Sequence, residues 1–273
     1  MPELPEVETV RRQLEPLVTG RVVTSAGGHP SPKFCTAGEA AGSELTGLRR
    51  RGKYLIASLD GPADRELVVH LGMTGVLRLR PAATTTASDD PFVRAWWVLD
   101  DGQRLELRDI RRFGRVAVVA AGDYTSMPTL ATLGPEPLTD DFAVEPFWRA
   151  LRGSRLRVKT QLLSQRPVAG VGNIYADEAL WLSGIHPARR TVTRAEAERL
   201  RDAIRTVLAA GVANGGTTLR DYRTPDGGLG SNQHHLDCYG RSGEPCSRCG
   251  EVLSRKVVDG RGTTFCRRCQ PSR

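Results

Sequence analysis

Two groups of residues in this 273-residue chain have the types and spacing that chemistry needs. The first opens it: Met1-Pro2-Glu3-Leu4-Pro5-Glu6-Val7-Glu8-Thr9-Val10. A small second residue normally lets the initiator methionine be removed. The Pro2 nitrogen is then a secondary amine with a pKa near ~8, largely unprotonated after a modest downward shift. Such an amine attacks an aldehyde or masked aldehyde and forms an iminium, as catalytic lysines do. Glu3 beside it can carry the proton. A helix that merely opens on prolines, with Glu6 and Glu8 favouring its dipole, would use the same residues, so the choice rests on what lies downstream. The second group is Cys246-x2-Cys249, sixteen residues, then Cys266-x2-Cys269. That is a four-thiolate zinc pattern. It leaves no open coordination position, so one structural Zn2+ is expected, supplying on the order of 10 kcal/mol of folding free energy to a segment too short for a core of its own.

The elements that must hold these groups can be read along the chain. A helix with Pro5 at its first position would turn Val7, Val10, Leu14 and Leu17 toward a core. Residues 21–26, 54–59, 67–79, 93–99, 104–107 and 115–119 are rich in Val, Leu, Trp and Tyr between Gly, Pro and Asp clusters, and Asp101-Gly102 is a hairpin signal. Close strands without intervening helices predict an antiparallel sandwich or barrel. Residues 81–91 read as an exposed loop. Over 126–138 the composition turns to Pro, Gly and Thr, and the period then becomes helical, with short candidates at 147–151, 159–165 and 174–182. Thr193-x-x-Glu196 is a capping box opening a longer helix that carries Leu200, Ile204, Val207, Leu208 and Val212 and ends at Gly215-Gly216. The pair Gly170 and Gly172 before a helix start can offer N–H groups to a phosphate or make a tight turn between helices. Residues 219–236, rich in Gly with Pro225, read as a flexible loop, either a lid or a linker. Between the cysteine pairs, Lys256-Val257-Val258, the turn Asp259-Gly260 and Thr263-Thr264-Phe265 form a β-hairpin, with Arg261 at its tip reaching outward to a phosphate or to solvent.

Composition narrows the partner. Lys+Arg 39 against Asp+Glu 31 gives a net charge of +8, which favours a polyanion. Lys33, Lys53, Lys159 and Lys256 are the only lysines. Each is notable, because a buried lysine can release a proton near neutral pH and an arginine cannot. There is no apolar segment of membrane length and no signal-peptide order, so a cytoplasmic, nucleoid-associated protein with no membrane partner is expected. Four of the six cysteines fall in the zinc pattern, and Cys35 and Cys238 are left without a role.

Together these residues resemble the bacterial formamidopyrimidine-DNA glycosylase family, from the first residue to the last cysteine. The resemblance is carried by the N-terminal decapeptide, Arg51-Gly52-Lys53-Tyr54-Leu55, His70-Leu71-Gly72-Met73-Thr74-Gly75, Arg111-Arg112-Phe113-Gly114, Leu133-Gly134-Pro135-Glu136-Pro137-Leu138, Val171-Gly172-Asn173-Ile174-Tyr175-Ala176, Gly215-Gly216-Thr217-Thr218-Leu219 and Tyr239-Gly240-Arg241. It implies an α+β, multidomain chain: an N-terminal helix with an antiparallel β-sandwich over 1–125, a linker over 126–140, a helix-two-turn-helix domain over 141–236 with the flexible loop 219–236, and a C-terminal β-hairpin zinc finger over 237–273. Double-stranded DNA carrying oxidised bases or abasic sites would lie in the cleft between, bound by a monomer. It further implies that an oxidised purine is flipped out, that Pro2 displaces it through a Schiff base, and that β- and δ-elimination cut the strand. Glu3 matches the proton-transfer acid, Lys53 the β-elimination lysine and Arg261 the δ-elimination arginine. Lys159 and Asn173 match DNA-contacting positions. Met73, Arg111 and Phe113 match residues that fill the gap left by the flipped base, Arg111 reading the opposite cytosine.

Three departures bear on DNA affinity and lesion range. Ser88-Asp89-Asp90 stands where the family often carries histidines, Ser164 where aspartate is usual, and Ile110 where proline is usual. Two other readings share some features. An oxidised-pyrimidine glycosylase of the endonuclease VIII kind would share Pro2, Glu3, Lys53 and the finger but not the gap-filling residues. A non-catalytic zinc-finger DNA-binding protein would need no Pro2 beside Glu3.

Overall fold

The computed structural model describes residues 1–61, 63–82 and 90–272, so Ser88 and Asp89 lie outside the described residues. The chain divides into two compact units, Met1–Ala131 with Asn214–Ser231, and Thr132–Ala213 with Asn232–Arg273. Among the described residues no helix is long and apolar enough to cross a membrane.

The first unit opens with α1, Leu4–Val18, whose first position is Leu4 and second Pro5. A proline there costs no hydrogen bond, because the first N–H groups of a helix have no partner within it. Val7, Val10 and Leu14 are buried as expected, but Leu17 is 52% exposed and Val18 is buried in its place. At 100° per residue, position 18 returns to the face of Val7 and Leu14 while position 17 has turned away.

The strands are β1 (Arg21–Gly28), β2 (Glu44–Arg51), β3 (Tyr54–Asp60), β4 (Arg65–His70), β5 (Gly75–Pro81), β6 (Val93–Leu99), β7 (Gln103–Asp109) and β8 (Arg115–Ala120). The expected single run over 67–79 is two strands, parted by a turn in which Gly72 has φ 66°. β2 escaped the sequence reading because only Leu45 and Leu48 mark it among arginines. The order is β5-β7-β6-β1-β2-β3-β4-β8, with antiparallel pairing throughout. β1 pairs with β2 through Arg21 and Val22, then bulges and pairs with β6 from Val23 onward. One strand thus serves both halves, and the eight strands close as a sandwich over a core shared by Val10, Leu14, Leu55, Val69, Leu77, Trp97 and Leu107. The expected linker is partly ordered: it includes α2, Pro128–Ala131, with Met127 and Leu130 buried.

The second unit contains α3 (Val144–Arg152), α4 (Val158–Leu163), α5 (Asn173–Ser183), α6 (Arg194–Ala213), β9 (Ser254–Val258) and β10 (Arg261–Phe265). The capping box of α6 is formed, Glu196 N–H donating to Thr193 Oγ1 at 3.2 Å and Thr193 N–H to Glu196 Oε2 at 2.7 Å. The Gly170 N–H donates to the Gln165 side chain at 2.8 Å, so this buried stretch is a turn between helices. β9 and β10 pair across Asp259-Gly260, both at positive φ, which suits a two-residue hairpin turn.

Glu8 joins α1 to the sheet. It is 9% exposed and pairs with Arg11 and Arg12 at 2.9 Å and with Arg50 of β2 at 3.1 Å. Burial pushes its carboxyl up, but the three guanidinium groups outweigh burial and hold it at about 2, below the ordinary 4.5. The stabilisation is therefore full above pH 4.5 and is lost as the pH falls through about 2. Glu8→Gln is expected to lower the unfolding free energy by of order 3 kcal/mol at neutral pH. Urea unfolding of both proteins at descending pH should show that gap narrowing below pH 4.5.

Candidate active site and nucleic-acid interface

Pro2 and Glu3 lie just before α1 and are both buried. They are held from behind by Glu6, which is 1% exposed. Glu6 Oε2 accepts the Glu3 N–H at 2.7 Å, and its Oε1 accepts the Thr217 N–H at 2.6 Å. At Gly216, φ is +85° and a Cβ would lie 2.9 Å from Glu6 Cγ, so only glycine fits. The Tyr222 hydroxyl bridges Gly215 O at 3.2 Å and Glu6 O at 3.4 Å, and burial drives its pKa up. These bonds explain why residues 214–231 belong to the first unit, whereas the sequence boundaries put 219–236 with the helical domain.

Lys53 occupies the tip of the β2–β3 hairpin after Gly52, whose φ of 57° makes the two-residue turn possible. It is 5% exposed. His70 packs tilted against Tyr54 at 4.7 Å between ring centres and accepts the Gly72 N–H on Nδ1. Burial first, and then the charge of Lys53, lower His70 to about 4, so the imidazole is neutral at physiological pH.

Met73, Arg111 and Phe113 sit on two loops that run side by side. A Cβ on Gly72 would meet the backbone of Phe113 and Gly114 at 2.4 Å. The fully buried Asp109 ties the loops, accepting from Thr74 Oγ1 at 2.5 Å and from Gly114 N–H at 2.7 Å. Thr74 Oγ1 in turn accepts the Arg111 N–H at 3.2 Å. The apolar tips therefore stand in solvent, Met73 38% and Phe113 53% exposed, with Arg111 beside them. Of the departures, Ile110 is exposed at this loop, Asp90 pairs with Arg78 and Arg108, and Ser164 caps the end of α4 by bonding Gln161 O.

Lys159 and Asn173 meet in the second unit at the carbonyl of Gly262, the residue after Arg261. Gly262 O accepts from Lys159 Nζ at 3.0 Å and from Asn173 Nδ2 at 3.1 Å. Lys159 also donates to Thr263 Oγ1 at 2.9 Å and pairs with Asp177 at 2.6 Å. Burial pushes the Asp177 carboxyl up to about 6, against the pull of Lys159. Lys159 is thus wholly enclosed, where the resemblance matched it to a DNA-contacting position. Arg261 is exposed at the hairpin tip.

The four cysteines fit the zinc pattern. Cys246, Cys249, Cys266 and Cys269 place their sulfurs within 4.8 Å of one another, with Cys249–Cys266 at 3.5 Å and Cys246–Cys269 at 4.0 Å. A tetrahedral zinc–thiolate site has sulfurs about 3.8 Å apart. Trp181 Nε1–H donates to Cys246 Sγ and the Cys269 N–H to Cys266 Sγ, as suits thiolates. The site takes one structural Zn2+. Cys238 packs in the same cluster with Trp181 and Leu253, and Cys35 is exposed. Glu178 binds the finger to α5 by accepting the N–H groups of Asp237, Cys238 and Tyr239. Sequence reading missed Glu6, Asp109, Asp177 and Glu178. Only Glu6 had a local signal, as the acid three residues after the helix cap.

A sandwich opened by a proline-led helix and a helical unit ending in a four-cysteine hairpin are the parts of a multidomain zinc-finger protein. The formamidopyrimidine-DNA glycosylase N-terminal domain model matches residues 1–116, the formamidopyrimidine-DNA glycosylase H2TH domain model 133–223, and the zinc finger found in FPG and IleRS 243–271. The formamidopyrimidine-DNA glycosylase of Deinococcus radiodurans is 48% identical over 100% of this chain and 98% of its own length. The crystal structure of the MutM (Fpg) protein from Thermus thermophilus superposes with a TM-score of 0.90 at 46% identity, covering all of both chains. Wild-type Lactococcus lactis Fpg, solved with DNA containing N7-benzyl-Fapy-dG, gives a TM-score of 0.88 at 35% identity over 99% of this chain and all of that one. The chain belongs to the formamidopyrimidine-DNA glycosylase family.

Gly216→Ala is expected to destabilise the first unit by of order 2 kcal/mol, since it forces a side chain into positive φ and against Glu6. Thermal unfolding checks this. Elemental analysis should find one zinc per chain, and Cys249→Ser should lower zinc retention and melt the finger's hairpin signals in amide exchange.

Proposed function

We propose that the protein is a bifunctional DNA glycosylase and lyase of base-excision repair, acting on 8-oxoguanine and formamidopyrimidines in double-stranded DNA. The observation that carries the reading is the burial of Pro2 and Glu3 at a helix start pinned by Glu6. With Met1 removed, the Pro2 amine attacks C1′ of the flipped nucleotide. The C1′–N bond breaks, its electron pair leaves with the base, and Glu3 transfers the proton that opens the sugar to an iminium. Loss of a C2′ proton expels the 3′ phosphate, with Lys53 as the acid of that step. Loss of a C4′ proton then expels the 5′ phosphate, steadied by Arg261. Hydrolysis returns the free amine.

Met73 and Phe113 replace the stacking lost on flipping, and Arg111 donates to the orphaned cytosine. Asn173 faces phosphate and Lys159 supports it from within. Arg220, Asp221 and residues 223–227 line an open cavity of about 600 Å3 with Arg78, Arg108 and Ile110, with room for a flipped nucleotide. The protein works as a monomer in the cytoplasm, on the nucleoid.

Borohydride trapping on a duplex with 8-oxoguanine opposite cytosine, run beside a thymine glycol duplex, tests this. The adduct should form mainly on 8-oxoguanine and map to an N-terminal Pro2, and Pro2→Gly should lower it by at least about 100-fold. Dominant trapping on thymine glycol would move the assignment to oxidised pyrimidines, and full strand cutting by Pro2→Gly would sink the mechanism. Arg111→Ala should cost about tenfold in preference for cytosine opposite the lesion, read as the ratio of kcat/KM values for the two opposite bases.

A further inference from the structure

The finger arginine stands on a two-residue turn, and a turn alone does not aim a side chain. Five bonds do so here. Asp259, the first turn residue, receives the Arg157 guanidinium on Oδ1 and the Thr160 hydroxyl on Oδ2. Both donors come from the start of α4, Arg157 as its cap and Thr160 within its first turn. On the other side of Arg261, Lys159 Nζ donates to Gly262 O and to Thr263 Oγ1, and that hydroxyl donates to Arg261 O at 3.0 Å. The backbone of Arg261 is therefore gripped before and after by neighbouring residues of one helix.

We propose that Asp259 is a positioning residue for the δ-elimination. By holding the hairpin tip on Arg157 and Thr160, it directs the Arg261 guanidinium to the departing 5′ phosphate. The inference rests on the assignment of Arg261 made above. In that step the C4′–H electrons enter the conjugated chain and the C5′–O bond breaks, its pair leaving on the phosphate. Only the leaving group calls on Arg261, so misdirecting it slows this step and spares base removal and the β-elimination. The Arg157–Asp259 pair is more than a third exposed on both sides, and such a pair adds little stability. Its loss should move geometry without unfolding the finger.

Asp259→Asn tests this cleanly, because asparagine also tolerates the φ of 46° at this position. On a duplex with one abasic site, the ratio of doubly eliminated to β-eliminated ends is read in single turnovers, a quantity independent of the active fraction. The ratio should fall by about tenfold in Asp259→Asn. Arg157→Gln should lower it similarly, the double variant should be no worse than either, and Thr160→Val should give a smaller fall. Base excision, zinc content and thermal unfolding should stay at wild-type values. An unchanged ratio in these variants, with a collapsed ratio in Arg261→Ala, overturns the positioning role and leaves the arginine's assignment standing. An unchanged ratio in Arg261→Ala overturns both.

Discussion

The structure of the first unit depends on one buried carboxylate. Glu6, 1% exposed, places one oxygen on the Glu3 N–H and the other on the Thr217 N–H. A buried carboxylate survives only when its lone pairs are satisfied, so the two backbone segments must come to it. Chain termini ordinarily fray. Here the terminus is fixed from its third residue, while Gly216 has no Cβ and lets the far segment close on Glu6. Without that bond the segment carrying Pro2 would be a loose tail, and the preorganisation that the proposed amine chemistry needs would be lost.

The same device recurs through the chain. Asp109 joins the loops of Met73 and Phe113, Asp177 joins Lys159 to the Thr264 N–H, Glu178 gathers three N–H groups before the finger, and Asp259 ties the hairpin tip. An ionised carboxylate is an acceptor with several lone pairs and can join segments distant in sequence. The excess of basic residues gives the net charge of +8, and Arg111, Arg112 and Arg261 stand in solvent where a polyanion can reach them. The acids build the geometry and the exposed bases supply the positive charge.

This division explains what was legible in the sequence. Pro2, Glu3 and the cysteine pairs are local patterns, and local patterns survive without knowledge of the fold. So do the capping box at Thr193 and the turn at Asp259-Gly260, both of which formed. Asp109 and Asp177 could not be found, because nothing near them in sequence announces a partner 35 or 87 residues away. β2 was missed because its arginines hide a two-residue apolar signal, and Leu17 was misplaced because one residue of phase decides which side of a helix faces the core. Lys159 was singled out for its rarity and motif position, but motif position does not show whether a side chain points out or in.

The two buried lysines illustrate why burial alone does not give a role. Lys159 has an acid against it, and the pair forms a closed unit within the protein. Lys53 has His70 near it, and two cations cannot share a low-dielectric site without cost. It is the imidazole that gives way: burial and the lysine's charge together keep His70 neutral down to about pH 4. The hairpin tip therefore carries its charge on the group with the longer reach. Lysine can also titrate when its surroundings change, which guanidinium cannot do. The β-elimination role proposed for position 53 asks for both attraction to a phosphate and movement of a proton, and those two demands favour lysine over arginine.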